Sequence, residues 1–146
     1  MSILATRLAL GLLWLLSHLP LRVLAALGWH LGGLLYPLAG SRRRIALRNL
    51  ELCFPDKPLA EREAIAREHF RWLTRSLLER SVLWYASPER IRKLIHVEGD
   101  IELAERVFQT EGRATMWLCP HFVGLDVAGA AILLCQHRPG ASIYQR

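Results

Sequence analysis

"RATMWLCPHFVGLDVAGAAILLCQ", residues 113–136, is where the chain declares its architecture. An apolar run of strand length, Arg113 to Cys119, stops at Pro120. His121 follows at once, Gly124 loosens the turn, and an apolar segment with small residues on one side resumes as a helix. Strand, turn and helix in succession point to a βα unit. Two further segments fit. "IHVEG" (95–99) has the look of a short strand ending at Gly99, and "ASIYQR" (141–146) of another. Helices alternating with short apolar strands predict an α/β layered domain with a small, mostly parallel sheet.

Upstream, the pattern is helical. From Pro58 to about Trp84, Ala66, Phe70, Leu73 and Leu77 recur at spacings of four, three and four, with Glu61 and Glu63 in the first turn where they oppose the helix dipole favourably. His69 and Trp72 read as packing residues on or beside that face. "SPERIRKLI" predicts a short helix capped by Ser87 with Pro88 in its first turn, and "DIELAERVFQT" a helix capped by Asp100.

Residues 8–38 are strongly apolar. A signal peptide needs a short apolar region, a small-residue cleavage site and a polar start beyond it, whereas here the apolar character resumes after Pro20, so export is disfavoured. The first run, Ile3 to Leu19, falls slightly short of the roughly 20 apolar residues of a bilayer span and contains Arg7. Pro20 suits the first position of a second helix, because its missing N–H has no helical partner there. Two helices are expected, at 3–19 and 20–38. They serve as membrane anchors, whereas two buried helices of a soluble core are the alternative. The amphipathic rings of Trp14, Trp29 and Tyr36 favour head-group depth.

The charge is uneven. The net formal charge is +6, yet no Asp or Glu precedes Glu51. Arg42, Arg43, Arg44 and Arg48 follow the apolar segment directly, a placement that keeps such residues on the cytoplasmic side and attracts anionic lipid. Together with Trp14, Arg42, Arg43 and Arg44 are the expected membrane contacts. A nucleic-acid patch is disfavoured, since the basic cluster is short and joined to an apolar anchor. The domain boundary is therefore placed at 40, with anchoring helices in 1–40 and the first part of the layered domain in 41–146. Cys53, Cys119 and Cys135 are odd in number and far apart, without CxxC spacing. They read as reduced residues packed as small hydrophobes, with no metal site or cofactor implied.

In an open α/β sheet, ligands bind beyond the carboxyl ends of the strands. The run 113–119 would deliver His121 to such an end, with Asp126 in the first turn of the following helix. A carboxylate on one ring nitrogen fixes the tautomer and stabilises the imidazolium, while the other nitrogen takes a proton from a hydroxyl. No serine or cysteine stands between them, so the pair suits activation of an acceptor hydroxyl and direct acyl transfer. A structural His–Asp hydrogen bond is the competing account.

"HFVGLD" resembles the His-x4-Asp motif of glycerolipid-type acyltransferases, and most closely the bacterial lipid A late acyltransferases. "RRRIALRNLELCFPD", "AREHF", "VEG" and "SIYQR" are similar to further stretches of that family, in order. The resemblance implies His121 as general base and Asp126 as its orienting partner, with Gly124 and Arg146 on the substrate side. It implies acyl carrier protein as donor, a lipid A precursor as acceptor, and work on the cytoplasmic side of the bacterial inner membrane. Members of that family are longer, and their later part bears a further arginine motif, so these 146 residues are expected to be an N-terminal part. A non-catalytic, membrane-anchored binding module or a truncated remnant is the alternative to an enzyme.

Overall fold

A computed structural model describes residues 3–100 and 102–135. Its regular elements among those residues are seven helices: α1 (Ile3–Ser17), α2 (Leu21–Leu38), α3 (Gly40–Cys53), α4 (Leu59–Tyr85), α5 (Pro88–Leu94), α6 (Leu103–Glu111) and α7 (Leu125–Cys135). They fall into two compact units, Met1–Tyr85 and Ala86–Arg146.

The expected parallel sheet is overturned. The described residues contain helices and irregular segments, and no strand. Residues 95–98 and 113–122 carry no regular structure, and the expected strand at 141–146 lies outside the described residues. Among the described residues no partner strand is available. A strand satisfies its backbone only through a neighbour's ladder, and an apolar run of strand length gains nothing without one. Met116 and Leu118 are accordingly 80% and 88% exposed.

Helix α2 and helix α4 share the most extensive contact in the first unit. The buried residues of α2 are Leu24, Gly28, Gly32 and Tyr36, spaced strictly by four, so one ridge faces α4. From α4 come Ala66, Phe70, Thr74, Ser81 and Val82. The expected face is half right. Ala66 and Phe70 are buried, but Leu73 and Leu77 are 42% and 46% exposed. Small residues take their place because the two backbones nearly touch. A Cβ on Gly28 would stand 2.4 Å from Arg75 Cα, and one on Gly32 2.5 Å from Arg71 Cα. Thr74 and Ser81 keep their hydroxyls satisfied by donating to Phe70 O (2.8 Å) and Leu78 O (2.6 Å).

At the far end of α2, Tyr36, Ala66 and Phe70 form a small core, with Ala39, Ala46, Leu47 and Leu50 against it. The Tyr36 and Phe70 rings meet edge to face at 5.5 Å. Helix α3 is also tied to α4 through Glu51, which accepts from Arg48 at 2.5 Å and lies 3.9 Å from Arg62. The Arg48 hydrogen bond, then the Arg48 and Arg62 charges, hold the Glu51 carboxyl below its ordinary range.

The first two helices form close to where the sequence places them, with Pro20 as the residue before α2 rather than its first member. Helix α2 is long and apolar enough to cross a membrane. One face of it, however, lies along α4, whose sequence includes Arg62, Arg67, Arg71, Arg75 and Arg80. Helix α1 is different. Ile3, Leu4, Leu8, Leu12 and Leu15 are between 60% and 77% exposed. Their spacing puts them on one helical face.

In the second unit, α5 starts as expected. Ser87 Oγ accepts from the Arg90 backbone N–H at 3.3 Å, and Pro88 opens the helix. Helix α6 starts later than expected. Asp100 does not cap it; the carboxylate pairs with Arg106, and the helix begins after Glu102. It ends at Gly112, whose φ of 67° is the left-handed region that ends helices. The three cysteines are free but exposed, so packing as buried hydrophobes is not their situation.

Candidate functional site

His121 sits in the irregular segment four residues ahead of α7, and Asp126 lies in the first turn of that helix. The turn between them is closed by Leu125 N–H donating to Phe122 O at 3.2 Å. Ala128 N–H then donates to Gly124 O at 3.1 Å, which starts the helical ladder. Both His121 and Asp126 are exposed. They are therefore accessible to a substrate from solvent, and neither is sealed in a core.

The sheet-edge rationale for this placement falls with the sheet. What positions the pair is the turn and the N-terminal end of α7, where unpaired N–H groups and the helix dipole favour the Asp126 charge. Gly124 has an ordinary backbone conformation, since the positive-φ glycines among the described residues are Gly99 and Gly112. A Cβ there would stand 2.9 Å from Phe122 Cε2.

Trp14 lies on α1 and is 51% exposed. On α3, Arg42 and Arg44 are exposed, while Arg43 is half-buried with its guanidinium 5.5 Å from the Tyr36 ring centroid. Arg146 lies outside the described residues. His69 is exposed, and Trp72 packs edge to face on Trp29 at 5.6 Å.

A series of arginines stacked on aromatic rings was not foreseen. Arg67 lies over Tyr36 at 4.9 Å, Arg71 over Trp29 at 5.0 Å, and Arg75 over Trp72 at 5.0 Å. The four-residue recurrence of arginine at 67, 71 and 75 was visible in the sequence; the α2 rings Tyr36 and Trp29 that meet Arg67 and Arg71 were not. Gly28 and Gly32 were also missed, although their small-xxx-small spacing is the pattern of close helix approach.

All 146 residues match the bacterial lipid A biosynthesis acyltransferase family. The chain belongs to that family. It is 39% identical over 127 residues to the lipid A biosynthesis palmitoleoyltransferase of Escherichia coli strain K12, covering 87% of this chain and 41% of that protein. It is 31% identical to the lauroyltransferase of the same strain (96% and 44% covered) and 32% identical to the myristoyltransferase (84% and 36%). The chain thus spans less than half the length of these relatives. No solved structure matches it.

Proposed function

We propose that this segment supplies the acid–base pair of a lipid A acyltransferase. The support is the family match along the whole chain, with an exposed histidine and aspartate bracketing the start of α7. The acceptor is a hydroxyl of a lipid A precursor, and the donor is a fatty acyl thioester on acyl carrier protein. His121 takes the hydroxyl proton as the oxygen attacks the thioester carbonyl. The C–S bond then breaks, and the imidazolium returns the proton to the departing thiolate. Asp126 holds the ring in the productive tautomer and offsets the imidazolium charge. Gly124 keeps the approach to the α7 N-terminus open.

The exposed apolar face of α1 enters the membrane interface, and Trp14 with Arg42 and Arg44 meets head groups on the cytoplasmic side of the inner membrane. The basic balance of the chain suits an acidic carrier protein.

The test is transfer of an acyl chain from acyl carrier protein to a lipid A precursor. It is run on this chain and on the chain joined to the remaining part of the palmitoleoyltransferase. His121→Ala should abolish transfer in whichever form turns over. Full activity in that variant overturns the assignment. Coverage of 41% of the relative favours a second reading, a membrane-anchored binding module, for the 146 residues alone. Turnover by the chain alone excludes it.

A further inference from the structure

Between α2 and α4 lies a pocket of about 330 Å³, lined by Trp29, His30, Gly33, Leu34 and Arg71. The Arg71 guanidinium forms one wall. It stacks on the Trp29 ring at 5.0 Å and lies so close to the α2 backbone that a Cβ on Gly33 would be 3.4 Å from its Nε. That Nε is buried and has no hydrogen-bond partner among the described residues. One turn away, Arg67 stacks on Tyr36, which Arg43 approaches from α3.

Arg75, the next member of the row, has a carboxylate: Glu79 Oε1 accepts from its Nε at 2.7 Å. Arg43, Arg67 and Arg71 have none within ion-pair distance among the described residues. A ring face compensates part of a guanidinium's lost hydration but supplies no counter-charge. A partly desolvated arginine held in one orientation is matched by an anion that can accept from its fork of donors, and phosphate fits best. Leu34 is the aliphatic member of the lining and is 64% exposed. Aliphatic surface beside a phosphate-ready arginine describes a lipid, not a free ion.

We infer that this pocket binds the phosphate of an anionic lipid, with Arg71 as the principal contact and Arg67 adding charge. Two lipids present that chemistry, a bulk phospholipid and the phosphorylated glycolipid acceptor of the proposed reaction. The inference needs the membrane part of the proposed function but not its chemistry. The readout is binding, so a failure of acyl transfer leaves it standing.

The experiment is vesicle co-sedimentation of the intact chain. One arm uses phosphatidylcholine mixed with phosphatidylglycerol, and the other phosphatidylcholine doped with a lipid A precursor. Arg71→Gln should weaken binding about five- to tenfold. Leu34→Glu, a change at an exposed position that places a carboxylate at the rim, should weaken it similarly and guards against misfolding of the first variant. Arg92→Gln removes an equal charge from an exposed site on α5 and should have little effect. Loss in both arms identifies any lipid phosphate as the ligand, and loss in the precursor arm alone identifies the acceptor. If Arg71→Gln and Leu34→Glu bind both vesicles as Arg92→Gln does, the site does not exist.

Discussion

The backbone of Gly28 on α2 lies directly against that of Arg75 on α4, so close that a methyl group on Gly28 would sit 2.4 Å from Arg75 Cα and 2.8 Å from its N. Real atoms do not approach so near, and the clash is with main chain, which cannot swing aside. Gly28→Ala and Gly32→Ala should each destabilise the first unit by about 1–3 kcal/mol, the usual range for overpacking. A methyl group on Gly11 of α1 would meet nothing within 4 Å, so Gly11→Ala should instead raise stability by about 0.5–1 kcal/mol through helix propensity. Thermal unfolding followed by helical circular dichroism reads both signs. Equal effects at Gly11 and Gly28 would mean the helices do not approach as described.

Helix α5 depends on its cap. Ser87 Oγ accepts from the Arg90 N–H. The backbone N–H of Glu89, and after it the Ser87 hydroxyl, hold the Glu89 carboxyl below its ordinary range. Ser87→Ala should cost about 0.5–2 kcal/mol of local stability. Faster amide hydrogen exchange at residues 89–92, with α4 unchanged, is the expected result.

These two cases show what the chain makes legible. Ser87 before Pro88 is local chemistry, and helix α5 begins where that pair says. Pro20 likewise separates α1 from α2. The register of α4 is not local. Hydrophobicity pointed to Leu73 and Leu77, but α2 meets α4 through Gly28 and Gly32 against the backbone of Arg75 and Arg71, and α4 buries Thr74 and Ser81 instead. Residues 113–119 have strand composition, yet pairing is decided by a neighbour, and among the described residues there is none. The candidate site rests on the sequence in a different way. His121 and Asp126 stand in a short motif, and the structure adds that both are exposed near the start of α7.

Glu51 gives a pH-dependent prediction. Its folded pKa is depressed, by the Arg48 hydrogen bond first and the Arg48 and Arg62 charges after it. Its contribution is therefore present above the unfolded carboxylate pKa and is lost as pH falls through the lower folded value. Glu51→Gln should lower the Tm slightly at neutral pH, and the gap to the parent should close in acid. High salt should narrow it too, since the pair is exposed. A gap that widens in acid would reverse the sign and refute the assignment.

The dyad makes the sharpest prediction. His121 is exposed, so its removal should leave folding within about 0.5 kcal/mol of the parent. Transfer, by contrast, should fall about a hundred- to ten-thousandfold in His121→Ala, the range for loss of a general base. Asp126→Asn keeps the shape but gives up the charge that holds the imidazole tautomer, so it should lower kcat with little change in KM for the acceptor. A merely structural aspartate at the start of α7 predicts something else: reduced helix stability and an unchanged kcat per folded molecule. Measuring Tm and kcat together for Asp126→Asn therefore separates the two roles. A lowered Tm with kcat unchanged would make Asp126 a helix-start residue and leave His121 to act without it.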